Sequence, residues 1–134
     1  MLTDGQKAFF ESFGYVLMRG LFSPDEMSAI TCAADELWAE TWKDPPDKKD
    51  VGPSEFVEKR PVLFQLVEDD RIYGPICELL GPDFIWSGSE GNITSTTLDF
   101  HDWHPDRTGS HDCEYIRIKV MMYLDPVGKD SGCL

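Results

Sequence analysis

Positive charge is scarce in this chain. Its 134 residues carry 12 Lys and Arg against 25 Asp and Glu, a formal net charge of −13. Such a surface repels phosphate backbones and anionic lipid, which argues against nucleic acid or a membrane surface as partner. Long hydrophobic runs are also missing, and no apolar stretch approaches the roughly 20 residues that span a bilayer. The opening Met1-Leu2-Thr3-Asp4-Gly5-Gln6 has neither a basic nor an apolar stretch, so no secretory signal is visible. Cys32, Cys77, Cys113 and Cys133 are scattered and form no C-x-x-C pair. They read as reduced thiols of a cytoplasmic protein, not as a zinc site or a disulfide frame. There are no repeats and no low-complexity segment. What is abundant is core material: 41% hydrophobic residues, with Phe 8, Trp 4 and Tyr 4. That supports one folded domain or part of one.

Residues 1–82 read as mainly helical. Thr3, with Gln6 three places on, fits a capping box for a helix to about Phe13, ended by Gly14. Residues 15–19 read as a strand, and Gly20 turns the chain. Ser23-Pro24-Asp25-Glu26 is a strong helix start, with an N-cap Ser, Pro at N1 and Glu at N3. Met27, Ile30, Ala34, Leu37 and Trp38 then recur at helical spacing to about Trp42, as a core stripe. Residues 43–53 hold three prolines and read as a surface loop. Residues 57–67 leave strand and helix open. Asp69 or Asp70 caps a further helix with Ile72, Ile76, Leu79 and Leu80 on one face. Pro75 kinks it or marks a later start, and Gly81-Pro82 stops it.

From residue 83 the pattern changes to period two. Residues 83–86 and 93–100 read as strands joined by a turn over 87–92. Residues 116–124 give the clearest strand. Ile116, Ile118, Val120, Met122 and Leu124 share an apolar face suited to packing on helices. Arg117, Lys119, Met121 and Tyr123 share a mixed face suited to lining a cavity. Helices followed by strands predict an α+β fold in which helices back an antiparallel sheet.

Between the last two strands stands Phe100-His101-Asp102-Trp103-His104-Pro105-Asp106. Residues i and i+2 at a strand end point to one side, so His104 and Asp106 can bind one metal ion together. Imidazole and carboxylate are two-thirds of the 2-His-1-carboxylate triad that holds non-haem Fe(II).

Several ordered segments resemble the phytanoyl-CoA dioxygenase family of Fe(II)/2-oxoglutarate oxygenases. Residues 10–26, from Phe10-Glu11-Ser12-Phe13-Gly14 to Ser23-Pro24-Asp25-Glu26, are similar to its helix–strand–helix opening. Leu79-Leu80-Gly81-Pro82 resembles the end of its second helix, and Trp103-His104-Pro105-Asp106 its W-H-x-D iron motif. Tyr123-Leu124-Asp125-Pro126, followed by Ser131-Gly132-Cys133-Leu134, resembles the approach to its P-G-S-H segment. The resemblance implies a double-stranded β-helix, or jelly roll, with N-terminal helices packed on one sheet. It implies His104 and Asp106 as iron ligands, and Fe(II), 2-oxoglutarate and O2 as cofactor and cosubstrates. It places Lys119 and Met121 in the cosubstrate pocket, where Lys119 would pair with a carboxylate. Asn92, Thr94 and Thr96 are further candidates for its polar lining. His101 and Trp103 are candidates for the substrate side. Asp106 stands where related halogenases carry a small residue, which favours hydroxylation of a small-molecule substrate.

The chain departs from the family pattern in one respect. The family's distal His and its basic carboxylate-gripping residue fall beyond Leu134, so the sequence reads as the N-terminal half to two-thirds of an oxygenase domain. Two expectations follow: the open strand edges favour a dimer, and the chain as written competes with a non-catalytic, cupin-like binding module. A hydrolytic zinc site from His101, His104 and His111 is a third reading, but the chain lacks the helical H-E-x-x-H pattern. His111 itself reads as a loop residue.

Overall fold

The structure, a computed structural model, describes residues 1–41, 51–93 and 116–129. Helix α1 (Asp4–Phe13) starts where the sequence places it. The Gln6 amide donates to Thr3 Oγ1 at 3.2 Å, and the Thr3 amide donates to Gln6 Oε1 at 2.9 Å. These bonds satisfy two donors that a helix start leaves open. Gly14 ends the helix at φ 76°, a left-handed cap that suits glycine. Helix α2 (Pro24–Thr41) has the same reciprocal start: Glu26 N to Ser23 Oγ is 3.3 Å and Ser23 N to Glu26 Oε2 is 2.8 Å.

Residues 57–67 resolve as helix. A 3-10 turn (Val57–Lys59) leads into α3 (Pro61–Glu68), whose Pro61 occupies the first turn, where a missing N–H costs nothing. Asp69 then caps α4 (Asp70–Leu80), accepting from the Arg71 amide at 2.9 Å. Pro75 lies buried inside α4, which runs on through it to Gly81.

The core lies where α2, α3 and the residues after β1 meet. Ile30, Ala33, Ala34 and Leu37 of α2 pack with Phe56 and Leu63, and Met27, Trp38, Leu66, Met122 and Leu124 close around them. Leu37 and Leu63 are each only 2% exposed. Helix α1 buries none of its own residues. Glu78 of α4 ties it down, accepting from the Leu2 amide at 3.1 Å and pairing with Lys7 at 2.6 Å.

Two short strands lie where the sequence suggested loop and turn. β1 (Val51–Ser54) falls in the expected loop and β2 (Glu90–Asn92) in the expected 87–92 turn. They pair antiparallel, Val51 opposite Asn92 and Ser54 opposite Glu90, with a one-residue irregularity between. Their residues are poor strand formers, so pairing across sequence distance overrides local preference. Gly91 explains its own identity. A Cβ there would stand 2.5 Å from Phe56 Cε2 and 2.6 Å from Phe56 Cγ. The Phe56 ring lies against Trp38, with centroids 5.0 Å apart.

The other expected strands fare differently. Residues 15–18 and 84–86 form no ladder among the described residues. Tyr15 instead meets Phe9 edge-on at 5.1 Å. Of residues 93–100 only Ile93 is described, and it lies outside β2. Residues 116–124 also have no ladder partner among the described residues. Among the described residues no helix is long and apolar enough to cross a membrane. Cys32 and Cys77 are free thiols.

Candidate functional site

The candidate site is approached from residues 116–124. Their alternation survives in part without a ladder. Met122 and Leu124 pack against the core, while Lys119, Met121 and Tyr123 are exposed. The apolar face is not uniformly covered, because Ile116 is 67% and Val120 51% exposed. Core contact is thus confined to the second half of the segment.

Lys119 and Met121 are exposed, but so is Val120 between them, and alternation in exposure begins only at Met121. Lys119 Nζ donates to Glu90 Oε1 of β2 at 2.6 Å, and neither side chain is buried. Asn92, two residues along β2, is also exposed. Lys119 and Glu90 thus meet directly, and Asn92 shares their strand. Thr94, Thr96, His101, Trp103, His104, Asp106 and His111 lie outside the described residues. Among the described residues no group of three His, Cys, Asp or Glu is placed to hold a metal. The fit of an iron ion therefore rests on donor chemistry. His104 brings an imidazole nitrogen and Asp106 a carboxylate oxygen, donor types that suit Fe(II).

A polar network holds β2 in place. The Glu58 carboxylate accepts from the Ser89 hydroxyl and, at 2.9 Å, from the Trp86 indole N–H. Ser89 Oγ accepts from the Val57 amide at 2.9 Å, and Ser89 O from the Glu55 amide at 2.8 Å. Burial pushes the Glu58 carboxyl up, but the Ser89 and Trp86 hydrogen bonds outweigh it and hold the group below its ordinary range. Ser89 immediately precedes Glu90, so this network fixes the backbone that presents the carboxylate to Lys119. Sequence reasoning missed Glu58, Ser89 and Glu90. No spacing rule links residues about 30 positions apart across a turn.

Arg71 was missed for the same reason. Its guanidinium donates to both Asp69 carboxylate oxygens at 2.8 and 2.7 Å and to Glu26 Oε1 at 2.7 Å. It also reaches Leu21 O at 3.2 Å and stacks over the Phe22 ring at 4.2 Å. The starts of α2 and α4 are thereby fastened together. Asp69 and then Glu26 hold the Arg71 proton firmly, and Arg71 in turn pulls the Glu26 carboxyl down to about 2. Every Arg71 contact is internal to the fold, so it serves architecture.

The family model for phytanoyl-CoA dioxygenase (PhyH) matches residues 10–134. No curated protein and no solved structure matches the chain.

Proposed function

The chain belongs to the phytanoyl-CoA dioxygenase family, and from that premise we propose that it takes part in Fe(II)- and 2-oxoglutarate-dependent hydroxylation of a small molecule. The observation that carries this reading is the extent of the family match, which includes Trp103-His104-Pro105-Asp106. The architecture proposed with it is the family's α+β arrangement, helices backing a jelly-roll sheet.

His104 and Asp106 would hold the iron. When bound, the metal supplies the redox chemistry by which 2-oxoglutarate, O2 and a C–H substrate become succinate, CO2 and an alcohol. The protein's part is binding and placement. Lys119 would meet a 2-oxoglutarate carboxylate with a compact, strongly hydrated charge, and Met121 would supply apolar lining beside it. Asn92, Thr94 and Thr96 would add polar lining, and His101 and Trp103 would face the substrate. The solvent exposure of Lys119 and Met121 supports this assignment. Asp106 occupies with a carboxylate the position that a halogenase leaves open for halide, which favours hydroxylation.

The test is anaerobic titration with Fe(II) and 2-oxoglutarate, read as a visible metal-to-ligand charge-transfer band. We expect a band that His104→Ala abolishes. No band in the parent chain, or one that survives His104→Ala, overturns the assignment and leaves a non-catalytic jelly-roll binding module as the better reading.

A further inference from the structure

We infer that Glu90 is an internal counter-ion for Lys119, which an incoming dicarboxylate must displace in order to bind. The inference rests on the proposed role of Lys119 toward 2-oxoglutarate and adds a residue that sets the threshold for that binding. Three observations carry it. First, Lys119 Nζ and Glu90 Oε1 stand 2.6 Å apart, so the carboxylate already fills one of the directions in which the ammonium can donate. Second, the pair is open to solvent, at 47% and 43% exposure, so an anion arriving from water can reach it. An exposed pair of this kind is weak and exchangeable. Third, the backbone that carries Glu90 is held on both sides. Glu90 pairs opposite Ser54 in the sheet, and the preceding Ser89 is bound by Glu58 and by the amides of Glu55 and Val57.

The chemistry of the exchange is a swap of one carboxylate for another on the same ammonium. A simple monocarboxylate gains little by it, because it only replaces Glu90. A dicarboxylate with a second anchor elsewhere gains the free energy of that anchor. Glu90 therefore acts as a specificity filter in a strongly acidic protein, keeping its lysine from binding anions indiscriminately.

The test is the affinity for 2-oxoglutarate, measured by calorimetry on the full chain with Mn(II) as a redox-silent metal. Four variants are compared: Glu90→Gln, Glu90→Asp, Lys119→Met and Asp35→Asn. Thermal melts confirm that each is folded. Glu90→Gln should tighten binding by about two- to fivefold, the span of an exposed ion pair. Glu90→Asp should stay near the parent value. Asp35→Asn removes the same charge from an exposed position on α2 and should leave the affinity unchanged. Lys119→Met should weaken binding. If Lys119→Met leaves the affinity unchanged, the parent reading of Lys119 fails. If Lys119→Met weakens binding but Glu90→Gln weakens it or changes nothing, the counter-ion assignment alone is overturned. Equal tightening by Glu90→Gln and Asp35→Asn would reduce the effect to net charge and overturn it as well.

Discussion

Gly91 shows how much a single hydrogen can carry. The Phe56 ring, itself 5% exposed and backed by Trp38, occupies the space a side chain would need. Gly91→Ala should therefore destabilise the fold by about 1–3 kcal/mol, the usual cost of forcing extra carbon into a filled core. Urea denaturation of the variant against the parent measures it. Trimming the obstacle with Phe56→Leu in the Gly91→Ala background should recover part of the loss, whereas unaltered stability in Gly91→Ala would contradict the packing. Lys119 makes a complementary point at the same scale. Alternation foretold that Met122 and Leu124 find the core, though Ile116 and Val120 of the same apolar set do not. The Lys119 partner Glu90 was not legible, since no local pattern says which distant carboxylate a lysine will meet.

Among the described elements, α1, α2 and α4 were legible, α3 was left between helix and strand, and the β1–β2 pair was not legible, for one physical reason. Helix signals are local. Thr3 with Gln6, Ser23 with Glu26, and the stripe of Ile30, Ala34 and Leu37 all act within a few residues, so the caps and core face were read from the chain. Strand pairing is settled by a partner elsewhere. Val51-Gly52-Pro53-Ser54 and Glu90-Gly91-Asn92 carry turn residues, yet they pair. Tyr15 and Leu17 alternate with Val16 and Met18 in exposure, yet form no ladder among the described residues. The Arg71 fastening between α2 and α4 yields a pH prediction. The Arg71 hydrogen bond, with the Ser23 amide and hydroxyl, lowers the Glu26 carboxyl from the ordinary 4.5 to about 2. A carboxyl lowered in the folded state binds protons more readily when unfolded, so it stabilises the fold fully above pH 4.5. That contribution drains away as the pH falls toward 2. Asp69, also lowered by Arg71, adds to the same acid limb. Thermal melts between neutral and acid pH should show Glu26→Gln starting lower than the parent at neutral pH and losing less on acidification. Parallel curves for the two proteins would refute the linkage.

At the scale of the whole molecule, the charge imbalance is the governing quantity. A net charge of −13 over 134 residues makes the compact state repel itself. Among the ion pairs described, Arg71–Glu26 and Lys119–Glu90 have both side chains open to solvent and Lys7–Glu78 has its lysine open, and pairs of this kind contribute little each. Screening should therefore relieve more repulsion than it removes attraction. Raising the salt from about 0.01 M to about 1 M, which shortens the screening length roughly tenfold, should raise the melting temperature. A fall would mean that the ion pairs outweigh the repulsion.

The core cluster has one more consequence, and it concerns connectivity. Phe56 covers Gly91 in β2, and the same cluster receives Met122 and Leu124. β2 and residues 122–124, about 30 positions apart in the chain, therefore rest on a single apolar seat. Bringing two segments so distant in sequence onto one seat costs closure entropy, and that cost grows slowly with their separation. A substitution at Phe56 would therefore loosen β2 and residues 122–124 together, although they lie about 30 positions apart.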